Sequence, residues 1–133
     1  MYEFHGWFGI AESTEEMDEG TLAAGIAELR ARVARSGWAT GEVRLALYNG
    51  QHYLMANGLV KRWRDEAEEL VALLDHVAAR FPGSYGVLYE RSDDPADFNP
   101  PGDNAFRVKV MSRGRIEVRL DPFLSPCRPV IED

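Results

Sequence analysis

One cysteine, Cys127, is all the chain contains, so no internal disulfide can staple it, and a lone thiol fits a reducing, cytoplasmic compartment. No stretch approaches the run of about 18 apolar residues that a membrane-spanning helix needs. The N-terminus also lacks the basic-then-apolar layout of a secretory signal, so the expectation is a cytoplasmic protein that starts at Met1 and contacts no membrane. Bases are in the minority. Fifteen Lys and Arg against 22 Asp and Glu leave a formal charge of -7, which repels phosphates and argues against nucleic acid as a direct ligand. Histidine is scarce, and His5, His52 and His76 show none of the short helical spacings of metal sites. Each therefore reads as structural or superficial, with no metal, cofactor or catalytic residue expected. No glycine loop follows a strand and opens a helix, and no internal repeat or low-complexity segment is present.

What is present suffices for one domain spanning residues 1–133, with 45% hydrophobic and 11% aromatic residues to build a core. Strand alternation over Tyr2 to Ile10 sends Tyr2, Phe4, Phe8 and Ile10 to one face and Glu3, His5 and Trp7 to the other. Large rings on both faces predict a strand inside a sheet. Acids crowd Glu12 to Glu19, with Ser13 and Glu16 at capping-box spacing, ahead of Leu22, Ile26, Leu29 and Val33 on one helical stripe over about Asp18 to Ser36. Gly37 stands where a left-handed C-cap is expected.

Val43, Leu45 and Leu47 alternate before Asn49-Gly50, the commonest two-residue hairpin turn. Facing Tyr48 with Gln51 pairs Leu47 with His52, Leu45 with Leu54 and Val43 with Ala56, which keeps the apolar side consistent. Asn57-Gly58 is a second turn signal, expected to end or bulge the strand. Ala67, Leu70, Leu74, Val77 and Phe81 mark a second amphipathic helix, stopped by Pro82-Gly83. Tyr85 to Tyr89 reads as a buried strand, and the Pro- and Asp-rich stretch Ser92 to Asn104 as the longest loop. For the last hairpin, a three-residue turn Ser112-Arg113-Gly114 pairs Val110 with Ile116, Val108 with Val118, Phe106 with Leu120 and Lys109 with Glu117. That register keeps valines together, whereas a two-residue turn mixes core and solvent faces. The proline-rich tail from Asp121 to Pro129 cannot be a regular central strand. The resulting fold class is α+β: a mostly antiparallel sheet of about six strands with two helices packed on one face, in the order β-α-β-β-α-β-β-β.

Asp93, Asp94, Asp97 and Asp103 match no calcium-loop spacing and read as a solvated acidic loop, and Cys127 between prolines as an inert thiol. The remaining acids serve first as helix caps and for solubility. Some of them could also form a negative surface toward a basic protein, with Trp7, Trp38 or Trp63 as aromatic anchors. A competing reading places a small-ligand site or enzyme on a sheet face carrying His5, Trp7 and His52. A third is a homomeric interaction module.

Blocks spread along the chain carry a family likeness: Tyr2-Glu3-Phe4-His5-Gly6-Trp7, Asn49-Gly50, Pro82 to Tyr89, Arg113-Gly114, and Asp121-Pro122-Phe123-Leu124-Ser125-Pro126-Cys127. With these the chain resembles immunity protein family 7, among the protective proteins encoded beside bacterial polymorphic toxins. The resemblance implies a non-enzymatic antitoxin that binds a cognate toxin domain and blocks its active site or substrate access; the chain itself is expected to be a monomer or weak homodimer. It supplies no catalytic motif to carry over. A nanomolar complex needs about 12 kcal/mol net, more than rim acids provide, so an apolar hot spot is expected among them. The expected toxin contacts are Glu12, Glu15, Glu16, Asp18 and Glu19 before the first helix, Asp93, Asp94, Asp97 and Asp103 in the long loop, and Trp63. An exposed Trp7 beside acidic chain would be an anchor; a buried one would leave the toxin surface elsewhere.

Overall fold

The computed structural model describes residues 1–13, 19–36, 38, 41–61, 65–94 and 105–123, without the side chains of Glu19 and Asp65. Glu15, Glu16, Asp18, the expected cap at Gly37, Trp63, Asp97, Asp103 and Cys127 with most of its tail lie outside the described residues.

The elements follow the expected order: β1 (Tyr2–Gly9), α1 (Glu19–Arg35), β2 (Gly41–Tyr48), β3 (Gln51–Val60), α2 (Asp65–Arg80), β4 (Tyr85–Ser92), β5 (Arg107–Ser112) and β6 (Arg115–Leu120). All six strands join one antiparallel sheet in the order β2-β3-β1-β4-β5-β6, so β1 lies inside it, between β3 and β4. The first six elements form two split βαβ units. From β1 the chain crosses over β3 to reach β2, and from β3 it crosses over β1 to reach β4. Because β1 and β3 are antiparallel and the two crossovers run in opposite directions, right-handed connections place both helices on one face.

That covered face holds the core. Tyr2, Phe4, Phe8, Val43, Leu54, Ala56, Leu88 and Met111 from the strands pack with Ile26 and Leu29 of α1 and Leu70, Leu73, Leu74 and Val77 of α2, closed by Phe81. Phe4 is fully buried, stacked on Tyr2 with centroids 5.5 Å apart and tilted against Trp38 at 5.7 Å. Burying such a ring stabilises the fold by about 1.5–3 kcal/mol. The β2–β3 register is the expected one, with Tyr48 opposite Gln51 and Val43 opposite Ala56, and Asn49 and Gly50 take φ of 49° and 80° in the turn.

Two expectations are corrected. Asn57-Gly58 neither ends nor turns the chain: both residues pair with β1 and β2, and β3 runs on to Val60 against β1. The glycine is there for space, since a Cβ on Gly58 would sit 2.5 Å from the Phe4 ring. In the last hairpin the turn has two residues, Arg113 (φ 52°) and Gly114 (φ 74°), so Val110 faces Glu117, Val108 faces Arg119 and Lys109 faces Val118.

The reason for the second correction is Glu90. On the covered face of β4, with no exposed surface, it accepts hydrogen bonds from the Tyr2 hydroxyl (3.0 Å) and from Nε and Nη2 of Arg107 (3.2 and 3.1 Å). Lys109 Nζ lies 3.5 Å away. A buried carboxylate must be paired, and here it draws the polar residues of β5 inward. Burial, then the Glu90 charge, pushes the Tyr2 hydroxyl far above its ordinary pKa. Met111 completes the inward row of β5 against Ile116, and Val108 and Val110 turn to the other face.

Candidate functional site

On the face away from the helices, alternation presents Ala46 and Tyr48 of β2, Tyr53, Met55, Asn57 and Leu59 of β3, and Glu3, His5 and Trp7 of β1. Tyr85, Val87, Tyr89 and Arg91 of β4 and Val108 and Val110 of β5 complete it. An open antiparallel sheet normally carries polar residues here. This one carries aromatics: Trp7, Tyr48 and Tyr85 are 43%, 50% and 48% exposed.

Their geometry is specific. Trp7 meets Tyr85 edge to face, with centroids 6.1 Å apart and rings at 82°. Tyr48 lies 5.7 Å from Tyr53. Gly9 pairs with both Tyr53 and Tyr85, and its missing Cβ makes room for the Tyr85 ring, which a Cβ would approach to 2.7 Å. Interaction with the neighbouring Tyr85 hydroxyl raises the Tyr53 pKa above its ordinary value. One aromatic row thus runs Tyr48, Tyr53, Tyr85, Trp7. Farther along β4, Tyr89 meets Phe106 edge to face at 6.0 Å.

The carboxylates on this face pair with cations beside them. His5 bridges Glu3 (Nε2 to Oε2, 2.9 Å) and Asn57 (Nδ1 to Oδ1, 2.9 Å), and Arg91 Nη2 donates to Glu3 Oε1 at 3.4 Å. The His5 bond chiefly, with Arg91, holds the Glu3 carboxyl below its ordinary pKa. On the edge strands Glu42 pairs with Arg44 (3.7 Å) and Glu117 with Arg119 (2.9 Å). Charged edges also discourage strand addition.

The histidines do not meet. His5 and Trp7 share the open face, but His52 pairs with Leu47 on the covered one, where it lines a shallow open groove beside Ala23, Ile26, Ala27 and Arg30 of α1. His76 is on α2; burial, then the nearby Arg32 charge, lowers its pKa. The expectation of one sheet face joining His5, Trp7 and His52 is therefore corrected: a one-residue step along a strand reverses the side chain. Among the described residues no group of three or more His, Cys, Asp or Glu could hold a metal ion.

The expected acidic contacts are scattered where described. Glu12 is mostly buried and pairs with Arg80 at 3.4 Å, near the start of β4 where the Ala11 N–H donates to Ser84 Oγ. Asp93 lies past the other end of β4, binding the N-terminal ammonium at 2.6 Å, a bond that lowers its pKa. Asp94 beside it is exposed, its N–H donated to Ser92 Oγ. An eight-residue strand such as β4 spans roughly 26 Å, so Glu12 and Asp93 do not form one patch. Trp38 is partly buried, packed against Phe4 at the margin of the core.

Sequence reasoning missed Tyr48, Tyr53 and Tyr85 as a surface set, and missed the buried Glu90 cluster. The tyrosine signal was legible, since Tyr53 and Tyr85 alternate with core residues Leu54 and Leu88 in strands whose register β1 fixes. Chemically, the open face offers rings, hydroxyls and satisfied ion pairs, the makings of a contact surface. No curated protein and no solved structure matches the chain. The family model described as immunity protein 7 matches residues 1–133, the whole chain, and the protein belongs to that family.

Proposed function

We propose that the protein is an antitoxin of a bacterial polymorphic toxin system, one domain of residues 1–133 that binds a cognate toxin domain in the cytoplasm and blocks its active site or substrate access. The whole-chain match to the immunity protein family carries this reading. The protein acts by binding and not as an enzyme. Its charge of -7 suits a basic toxin: acids raise the encounter rate, and a desolvated apolar centre sets the lifetime of the complex.

The steering surface in this reading comprises Glu12, Glu15, Glu16, Asp18 and Glu19 before α1 and Asp93, Asp94, Asp97 and Asp103 after β4, with Trp63 as a further contact. Exposed Asp94 supports it more than Glu12, whose charge is already answered by Arg80. Co-expression with the toxin domain encoded by the adjacent reading frame tests the function: the two should co-purify and growth should be rescued. Failure of both would end this reading. Reversing Asp93, Asp94 and Asp97 to lysine should slow association several-fold, about as expected for rim charges; unchanged rate and affinity would remove these residues from the surface.

A further inference from the structure

We infer that the toxin is anchored on the open face of the sheet, at the row Tyr48, Tyr53, Tyr85 and Trp7 with Met55 and Val87 beside it, and that it presents uncharged apolar side chains there. This rests on the antitoxin reading above and adds where, and with what chemistry, the partner is held.

Charge points to such an occupant. Among the described strand residues facing this way there are three carboxylates, Glu3, Glu42 and Glu117, against four arginines, Arg44, Arg91, Arg115 and Arg119, while the chain as a whole carries -7. Acidity is therefore displaced from this face. Exposed acids such as Glu28 of α1 and Glu68, Glu69 and Asp75 of α2 belong to the helical layer on the opposite side. The acids that do face outward from the sheet are already paired within it. A strongly basic patch of the toxin would find no uncompensated acid in the centre, whereas an apolar segment would lose only water.

The centre also has the composition of an interface core. Tyr and Trp bury large area while losing little rotamer freedom, and they are the residues that dominate binding hot spots. They are held in advance: the Tyr85 ring fits over Gly9 and meets Trp7 edge to face, and Tyr53 lies against Tyr48, before any partner arrives. The internally paired charges of Glu3, His5 and Arg91 at one end and of Glu42 with Arg44 at an edge provide the polar rim.

The test is binding kinetics of the purified toxin domain against the wild-type chain and the Trp7→Ala, Tyr85→Ala and Leu59→Glu variants, with circular dichroism to check folding. Leu59, 48% exposed at the far end of β3, keeps the test valid if a ring deletion unfolds the chain. Loss of Trp7 or Tyr85 should weaken affinity about thirtyfold or more, mainly through faster dissociation and to the same extent at high and low salt. Wild type that binds the toxin, with all folded variants binding equally well, would overturn the placement and leave the antitoxin reading intact; wild type that does not bind would overturn the reading itself. Light scattering supplies the third outcome: a wild-type dimer split by Trp7→Ala, with toxin affinity unchanged, would give this face to a second copy and overturn the inference.

Discussion

A carboxylate without exposed surface has to be matched by donors, and Glu90 is matched by Arg107, Lys109 and the Tyr2 hydroxyl. Removing its charge leaves two buried cations without their partner, so Glu90→Gln should destabilise the fold by about 3–5 kcal/mol. Tyr2→Phe removes one donor while keeping the ring and should cost only about 1–2 kcal/mol. Urea unfolding measures both; equal effects would mean that the ion pairs contribute little. His76 makes a second residue-scale prediction. Its folded pKa lies below the ordinary 6.5, so as pH falls the unfolded chain takes up the proton first. Stability from this group is complete above pH 6.5 and is lost as pH falls toward the folded value. Glu3 and Asp93, also depressed, act lower, through the carboxylate range below their ordinary 4.5 and 3.8. His76→Gln should therefore flatten the upper slope and spare the lower one, as thermal melts in a pH series would show.

At the scale of elements, the two hairpins show what a sequence can and cannot fix. In β2–β3, apolar residues on one side and Asn49-Gly50 at the turn agree, and the register follows from the sequence. In β5–β6 the same alternation misleads, because Val108 and Val110 belong to an apolar outer face while Arg107 and Lys109 answer a carboxylate on another strand. A pairing set by a long-range ion cluster leaves no mark within the hairpin. Arg113 bears the consequence, held at φ 52° where asparagine or glycine is usual. Arg113→Asn should raise stability by about 0.5–1 kcal/mol if the turn has two residues. A three-residue turn would make that change neutral. In β3, Gly58→Ala should cost about 1–3 kcal/mol, since the added methyl meets the Phe4 ring; loss of the Phe4–Trp38 contact in the near-ultraviolet spectrum would locate the damage.

For the molecule as a whole, the sequence disclosed the family likeness, the order of elements along the chain and the excess of acid, and it placed recognition where the acids are densest. It did not disclose that the sheet has a second apolar face, because an outward aromatic residue looks like an inward one until the register is known. The sign was Trp7, a ring on the side of β1 opposite Phe4 and Phe8. Separating the two surfaces separates two rate constants. On the proposed reading, acids away from the sheet act over distances comparable with the screening length, about 10 Å at 0.1 M salt and about 3 Å at 1 M, and so affect encounter. Rings in a dry contact act after encounter. Raising ionic strength across that range should slow association of the toxin domain by about tenfold or more while changing dissociation by less than about twofold. Trp7→Ala should invert the pattern, with fast dissociation at every salt concentration and an association rate that keeps its salt dependence. Stopped-flow mixing over a salt series measures both constants. If dissociation instead accelerated with salt as steeply as association slowed, the bound state would be held by charge, and the acidic segments would be the anchor.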